Sequence, residues 1–308
     1  MRPAILIHGP TASGKTRLAI DLAKRLGGEI INADAMQVYA DLQVLSARPD
    51  AGEQAEAVHH MFGHVDAGAR YSAGIWAKEA SALIARLRGE GKIPVVVGGT
   101  GLYLMALTEG LSEIPPIPDE ARAEARAKVA VDVGAAYAEL IDKDPPTGAR
   151  LDPNDRQRIS RALEVVIGTG RTLSSFHGEA SPILNAGEWA GVTLTPPRET
   201  IYRRINARVD AMMKAGALEE ARTLWARQLD RELPAMNAHG MPGFCDYFDG
   251  KVSLEDAVER CKRDTRRYAK RQMTWIAHQF TQWPRVPSMA ADVRTRVTAA
   301  IWNEVGVG

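Results

Sequence analysis

Short apolar runs alternate with amphipathic stretches over the first hundred residues. The largely apolar runs are 4–8, 29–33 and 93–97, and the stretches 15–26 and 75–88 carry apolar residues at helical spacing. Strands of this kind, separated by helices, are typical of a parallel sheet that is covered on both faces. We therefore predict an α/β fold whose ligand crevice lies at the carboxyl ends of the strands.

The composition changes abruptly at Pro115, Pro116 and Pro118, because this segment can continue neither a helix nor a central strand. The charged stretch that follows is predicted to be helical, with Asp119 as its N-cap. Two prolines at 196–197 mark the return to the first pattern. We predict a core domain formed by 1–112 and 191–308, with a helical insertion domain at 113–190.

Two further helices are predicted after residue 197. The first carries one apolar stripe, and the second begins near Ser253, where Asp256 completes a capping box, and runs past Trp275. The stripe of the first helix consists of Ile201, Ile205, Val209, Met212 and Leu218.

Composition restricts the class of protein. The 308 residues are 45% hydrophobic and 25% charged, and no run approaches the roughly 20 apolar residues that span a bilayer. Cys245 and Cys261 are the only cysteines, which suits a reducing compartment. We expect a cytoplasmic, globular protein without a membrane partner. The net charge of +1 does not itself suggest nucleic acid.

A complete phosphate-binding loop, G-x-x-x-x-G-K-[ST], follows the first strand and opens the first helix. Its backbone N–H groups, a lysine ammonium and a helix N-terminus converge on one point, which predicts a ligand with two or more linked phosphates. The loop consists of Gly9, Pro10, Thr11, Ala12, Ser13, Gly14, Lys15 and Thr16.

The ends of the second and third strands carry the other candidate chemistry. Asp34 follows the second strand, where a carboxylate can bind a metal, take a proton, cap a helix or pair with a basic residue. The third strand ends in Gly98, Gly99 and Thr100, where an ATPase of this class would carry a magnesium-binding aspartate. ATP hydrolysis is therefore disfavoured.

Basic residues cluster in two places. Arg150, Arg156, Arg158 and Arg161 surround one helix start, and seven basic residues lie within 260–271. Such a run is either a solvated helix face or a nucleic-acid contact. Arg204 and Arg208 either extend to solvent or face an anion. His59, His60 and His64 lack a further ligand, and we expect them to be structural.

Taken together, these segments resemble the tRNA dimethylallyltransferases. The family's motifs occur in order over nearly the whole chain, and those at 151–165 and 265–275 are specific to the family. They are GPTASGKT (9–16), DAMQVY (34–39), HH (59–60), VVVGGTGLYL (95–104), LDPNDRQRISRALEV (151–165), RINARVDAM (204–212) and TRRYAKRQMTW (265–275).

The resemblance implies a P-loop NTPase-like parallel sheet with a helical insertion. It also implies transfer of a dimethylallyl group from dimethylallyl diphosphate to N6 of the adenosine that is 3′-adjacent to the anticodon of tRNA. Asp34 would be the general base, and Thr100 would line the reaction channel. Lys15 and Mg²⁺ on Thr16 would stabilise the leaving diphosphate, and Arg204 or Arg208 would be a second clamp. The diphosphate ligands would be Gly9, Thr11, Ala12, Ser13, Gly14, Lys15, Thr16 and Arg208.

The resemblance also implies contacts with tRNA, and Gln37 is the side chain best placed to read the flipped adenine. Many members carry a basic residue where this chain has Pro242, so that contact is not carried over. We expect a monomer. The implied tRNA-binding residues are Asp34, Ala35, Met36, Gln37, Gln157, Arg158, Ile159, Ser160, Arg161, Arg263, Arg267 and Arg271.

Three alternatives are open at this point. The first hundred residues would also suit a P-loop kinase of small molecules, although the missing aspartate and the basic helix weigh against it. A transferase acting on free adenine nucleotides would share the loop and Asp34, but it would not need the insertion. A non-catalytic RNA-binding module is disfavoured because Lys15, Thr16 and Asp34 are all present.

Overall fold

Nineteen elements, six strands and thirteen α-helices, make up the regular structure of a computed structural model that describes residues 2–176, 178, 180–288 and 290–305. The remaining positions, although inside the predicted domain ranges, lie outside the described residues. The strands are β1 (Ala4–His8), β2 (Gly28–Asn32), β3 (His59–His60), β4 (Ile93–Gly98), β5 (Trp189–Leu194) and β6 (Arg285–Val286). The helices are α1 (Lys15–Leu26), α2 (Ala51–Glu56), α3 (Ala73–Gly89), α4 (Gly101–Thr108), α5 (Asp119–Val131), α6 (Val133–Lys143), α7 (Pro145–Gly148), α8 (Arg156–Thr169), α9 (Arg198–Lys214), α10 (Ala217–Ala226), α11 (Met241–Phe248), α12 (Leu254–Gln279) and α13 (Ala291–Val305).

The six strands form one parallel sheet in the order β3-β2-β4-β1-β5-β6. The predicted α/β fold with a parallel sheet is confirmed, and the strands expected at 4–8, 29–33 and 93–97 are β1, β2 and β4. Strands β3, β5 and β6 were not predicted. Two of them have only two residues, and β5 mixes Trp189 with Gly191 and Thr193, so none presents a long apolar run.

Helix α1 joins the phosphate-binding loop to the core of the sheet. Its buried face includes Leu18, Leu22 and Leu26, which pack on apolar residues of β1, β2 and β4. The helix begins after Gly14 at φ 95° and ends at Gly27 at φ 62°, two left-handed positions that favour glycine. The carboxyl ends of β1, β2 and β4 therefore meet around the start of this helix.

Helices α9 to α12 pack with the segment 38–45 around a second apolar core. The single stripe predicted to reach Leu218 is wrong, because α9 ends at Lys214 and Gly216, at φ 97°, starts α10. The predicted start of the long C-terminal helix is confirmed: Ser253 caps α12 by accepting a hydrogen bond from the Asp256 N–H, and the helix extends to Gln279.

The chain divides into two compact units, Met1–Thr108 with Ile183–Gly308, and Glu109–Pro182. The second unit is helical, and its core is formed by α5, α6 and α8. Residues 183–190 belong to the first unit, unlike the predicted range 113–190, because the Ile183 and Leu184 N–H groups bond to Leu107 O. Asp119 was predicted as the cap of α5, but Pro118 occupies that position.

None of the helices that the structure describes combines the length and the apolar character needed to cross a bilayer.

Candidate active site

A cavity of about 490 Å³ opens where the phosphate-binding loop meets the ends of β1 and β2. Five of the predicted loop residues line it, namely Thr11, Ala12, Gly14, Lys15 and Thr16. Gly9 and Ser13 of the loop are buried and do not line this cavity, so their predicted contact with a ligand stays a prediction. Ala12 has φ 61°, a strained value for a residue with a side chain.

The positively charged side chains of Lys15 and Arg208 line this cavity, and both are partly buried. Burial lowers the pKa of Lys15 to about 8, with nearby Asp34 raising it and Arg208 lowering it further. Burial likewise lowers the pKa of the Arg208 guanidinium. A bound anion would relieve both penalties, because an opposite charge favours the charged form of each group.

Arg204 and Arg208 lie one turn apart on α9 but have different surroundings. Arg208 lines the cavity together with Lys15 and Asp34. Arg204 is exposed, and among the described contacts its guanidinium reaches the Ala12 carbonyl, at 3.4 Å. The sequence left the choice between these two arginines open, and the geometry favours Arg208 as the one that meets a ligand in the cavity.

Asp34 follows β2 and is held by short local bonds. The Asp34 N–H donates to Asn32 Oδ1 at 2.8 Å, and Asp34 Oδ1 accepts the Met36 N–H at 3.0 Å. The side chain is half-buried and lines the cavity. The carboxylate is therefore fixed in orientation within the compartment that contains Lys15.

The turn after β4 lies directly beside Asp34. A Cβ on Gly98 would lie 1.9 Å from Ala33 O, and a Cβ on Gly99 would lie 3.3 Å from Asp34 Oδ2, so glycine allows the ends of β2 and β4 to meet. Thr100 Oγ1 accepts the Ala35 N–H at 3.0 Å. The glycine-rich end of β4 thus positions Thr100 next to the Asp34 segment.

A smaller, mostly apolar cavity of about 60 Å³ adjoins the first. Thr11, Asp34 and Arg208 line both cavities, so the two are continuous around these residues. The apolar lining comes from the segment after β2, from α9 and from the residues before α11 and in α12. It consists of Met36, Leu45, Ala47, Ile205, Val209, Met212, Ala238 and Cys261.

Gln37 lines the large cavity and also supports a neighbouring loop. Its side-chain nitrogen donates to Ser46 O at 3.0 Å and to Ala47 O at 2.9 Å. Contact of this amide with the flipped adenine stays a prediction.

The predicted tRNA-binding residues of α8 do not share one environment. Gln157, Arg158 and Arg161 are exposed, whereas Ile159 is fully buried in the helical core and Ser160 is 8% exposed. Contact of these five residues with tRNA stays a prediction, to which the side chain of Ile159 contributes no exposed surface and that of Ser160 little.

The predicted basic face of α12 is exposed. Arg263, Arg267 and Arg271 are all accessible. Arg267 and Arg271 also line a separate cavity of about 240 Å³, together with Arg260 and Pro242. Asp264 lies within 3.8 Å of Arg263 and Arg267, which reduces but does not cancel the positive charge of this face.

The three histidines considered at first pair separately. His60 Nε2 lies 2.6 Å from Glu29 Oε2, His64 Nε2 lies 3.2 Å from Glu79 Oε2, and His59 Nδ1 lies 2.8 Å from Ala57 O. Across the described part of the chain, no group of three or more His, Cys, Asp or Glu side chains is arranged to hold a metal.

Comparison with known proteins gives one consistent result. The family model for IPP transferase matches residues 37–279. Proteins named tRNA dimethylallyltransferase from Hyphomonas neptunium and Maricaulis maris are 54% and 46% identical to this chain, with 99% of the chain covered in both cases and 97% and 99% of the relatives. This chain belongs to the tRNA dimethylallyltransferase family.

Solved structures agree with this assignment. The full-length tRNA isopentenylpyrophosphate transferase of Bacillus halodurans is 33% identical, with a TM-score of 0.71 over 99% of this chain and 97% of that one. A eukaryotic dimethylallyltransferase acting on tRNA is 28% identical, with a TM-score of 0.84 over 99% of this chain and 79% of that one. The likeness extends over the whole fold, as expected for a family member.

One residue of the family motif at 265–275 has a role that the sequence reading missed. Gln272 is buried, its Oε1 accepts the Thr11 N–H at 2.9 Å, and its Nε2 donates to Gly99 O at 2.8 Å. The Thr11 N–H, predicted as a diphosphate donor, is therefore already occupied.

A Gln272→Met substitution is expected to lower the melting temperature by several degrees and to reduce kcat/KM for the prenyl donor about tenfold. It leaves the Thr11 N–H and the Gly99 carbonyl without a partner, at a cost of about 1–3 kcal/mol each. Thermal unfolding and steady-state kinetics measure the two effects. Gln279→Met, at the exposed end of α12, is the matched control. Unchanged donor kinetics in Gln272→Met would mean that the loop holds its geometry without this bridge.

Donor affinity is also expected to depend on pH through Lys15. The ligand-free lysine, with a pKa of about 8, is charged below that pH and loses its proton above it. The second pKa of a phosphate is about 6, so the donor is fully ionised before this change begins. The dissociation constant for dimethylallyl diphosphate, measured without tRNA, should rise as the pH passes about 8. Lys15→Met should bind weakly without this step, and the same step in the variant would assign it to another group.

Proposed function

We propose that this protein transfers the dimethylallyl group of dimethylallyl diphosphate to N6 of the adenosine 3′-adjacent to the anticodon of tRNA, with release of diphosphate. Family membership supports transfer to tRNA. The observation that carries the chemistry is the single cavity that contains the Lys15 ammonium, the Arg208 guanidinium and the Asp34 carboxylate. Cations for a leaving diphosphate and a base for an amine are thus present in one compartment.

The diphosphate is bound at the start of α1. Lys15, Arg208 and the helix N-terminus together oppose its negative charge, which grows as the carbon–oxygen bond breaks. Because these groups are already fixed in a partly dehydrated cavity, they stabilise the transition state without reorganising. Ala12 and Gly14 of the loop also line the cavity.

Magnesium fits this donor set. The Thr16 hydroxyl lines the cavity, and Mg²⁺ is commonly held by few protein oxygens together with the phosphates of the substrate. Bound there, the ion would neutralise charge on the leaving diphosphate.

Asp34 serves as the general base. As N6 of the adenosine bonds to C1 of the allylic group, the C1–oxygen bond to diphosphate breaks and one N6 proton passes to Asp34. Thr100 accepts the Ala35 N–H in the turn that contains Asp34 and lines the path by which the adenine enters. The apolar cavity bordered by Met36, Ile205 and Val209 adjoins Asp34 and suits the five-carbon chain.

Two surfaces are proposed to hold the tRNA. One is the exposed part of α8, which consists of Gln157, Arg158 and Arg161, and it gives the helical unit its role in binding. The other is the face of α12 formed by Arg263, Arg267 and Arg271, where long cationic side chains can contact phosphates. Extrusion of the adenosine from a single-stranded loop then requires little unstacking. We propose that the enzyme acts as a cytoplasmic monomer.

A label-transfer assay tests this function. Purified protein and Mg²⁺ are given an anticodon stem-loop with adenosine 3′ to the anticodon, with labelled dimethylallyl diphosphate or γ-labelled ATP as donor and free AMP as competing acceptor. Prenyl label on the stem-loop, and none on AMP, is the expected result. Label on AMP would indicate a free-nucleotide transferase, and phosphate transfer from ATP alone would indicate a kinase.

A further inference from the structure

One wall of the large cavity is an irregular loop at 42–50, which we call the wall loop. Gln43, Val44, Ser46, Ala47 and Arg48 of this loop line the cavity opposite the phosphate-binding loop. The wall loop lies in neither helix nor strand, and Ala47 has φ 52°, which is unfavourable for a residue with a side chain. Its conformation therefore needs support from outside the segment.

The strongest external support comes from a carboxylate on α10. Glu220 Oε2 accepts the N–H groups of Gln43 at 2.9 Å and Val44 at 2.7 Å, and Glu220 Oε1 accepts that of Leu45 at 2.9 Å. Three consecutive backbone donors thus converge on one charged group. Hydrogen bonds to an ionised acceptor are stronger than neutral ones, and this set fixes three successive peptide planes.

Other bonds extend this support along the loop. The Gln37 side chain donates to the carbonyls of Ser46 and Ala47, and the Arg48 Nη1 donates to Tyr39 O at 3.1 Å. These contacts hold the second half of the wall loop. Among the described contacts, Glu220 is the group that holds the N–H groups of 43–45, and Gln43 and Val44 of this stretch line the cavity.

We propose that Glu220 is a positioning residue that holds the wall loop against the donor cavity and thereby sets the affinity for the diphosphate of the substrate. The inference rests on the proposed function, since it assigns the cavity to that substrate. Glu220 itself does not line the cavity. It acts by keeping Val44, Ser46 and Ala47 in place, so that the ligand meets a formed wall and not a loop that it must order on binding.

Glu220→Gln tests the proposal, with Glu219→Gln as the matched control. Glu219 precedes Glu220 on α10 and is exposed. Its described ion pair is with Arg222 of the same helix, at 3.7 Å. In the Glu220→Gln variant we expect the KM for dimethylallyl diphosphate to rise about tenfold, while kcat and the KM for tRNA change less than about twofold. Glu219→Gln should leave all three constants unchanged.

Two further measurements distinguish positioning from general stability. Hydrogen exchange of the amides of 43–45 should accelerate in Glu220→Gln while that of the central strands stays slow. Binding of inorganic diphosphate with Mg²⁺, measured by calorimetry, should weaken by the same factor as the KM rises. This binding measurement does not depend on prenyl transfer. If the protein shows no transferase activity, the proposed function is wrong, but the effect of Glu220→Gln on diphosphate binding still tests the present inference.

The outcomes are decisive in either direction. Unchanged diphosphate binding, or amides of 43–45 that remain protected, would overturn the proposal. An equal loss in kcat, in both KM values and in melting temperature would also overturn it, because it would show a purely structural role. If Glu220→Gln does not fold, Glu220→Asp carries the test: it keeps the charge but reaches fewer amides, and we expect a smaller rise in the same KM.

Discussion

Replacing Asp34 with asparagine is expected to lower kcat about 10³-fold while tRNA affinity changes less than about twofold. General-base catalysis contributes typically 10²–10⁴-fold, and the amide cannot take the N6 proton. Asparagine keeps an oxygen that can accept the Met36 N–H, so the local geometry should be retained. Single-turnover transfer to an anticodon stem-loop measures the first quantity, and filter binding of the same RNA measures the second.

Asp50→Asn provides the matched control for Asp34→Asn. Asp50 is another carboxylate that lines the cavity, and it caps α2 by accepting the Glu53 N–H at 2.9 Å. Asparagine is an equally good cap, so this variant removes one negative charge from the same cavity at little structural cost. A loss of rate in both variants would assign the effect to cavity charge. A parallel loss of tRNA binding in Asp34→Asn would show that Asp34 organises the site.

Arg208→Gln is expected to reduce kcat/KM for dimethylallyl diphosphate about 100-fold, whereas Arg204→Gln should change it less than about threefold. Removing one donor aimed at developing charge costs about 10²–10³ in rate in other enzymes. Arg208 lines the cavity with Lys15, whereas Arg204 is exposed and donates to the Ala12 carbonyl. Steady-state kinetics at saturating tRNA compare the two variants, which make the same change one helical turn apart.

The reverse ranking of these two variants would contradict the assignment. It would mean that α9 turns or shifts when the donor binds, so that Arg204 becomes the clamp. Equal, small effects would leave Lys15 and the loop as the main diphosphate ligands. Melting temperatures of both variants are the control, because Arg208 is half-buried and its removal also leaves space beside Met212.

Local signals in the sequence were enough to predict the main elements of the unit that contains the sheet. The phosphate-binding loop, the strand before it and α1 after it are all encoded within 4–26. The apolar run of β4 and the Ser253 cap of α12 are equally local. Strands β3 and β6 could not be predicted in this way, since two residues carry no periodic pattern and depend on a neighbour already in place.

Family motifs also identified residues without identifying what each one contacts. In the segment 265–275 the sequence pointed to arginines as tRNA contacts. The buried face of the same helix carries Gln272 beside Ala269 and Ile276. The signal in the sequence that could have pointed to Gln272 is a neutral amide on an otherwise apolar helix face. The motifs likewise did not predict that the side chain of Gln37 supports a loop or that the side chain of Ile159 packs in a core.

The sequence by itself determined the family, the parallel sheet, the phosphate-binding loop and the positions of Asp34 and Lys15. Only the tertiary structure decided that Arg208 and not Arg204 meets the cavity, that Gln272 joins the phosphate-binding loop to the turn before Thr100, and that Glu220 holds the wall loop. The physical reason is distance along the chain. Spacing within a helix defines a face, but the partner of that face lies on segments as far apart as Thr11 and Gln272, and packing alone brings them together.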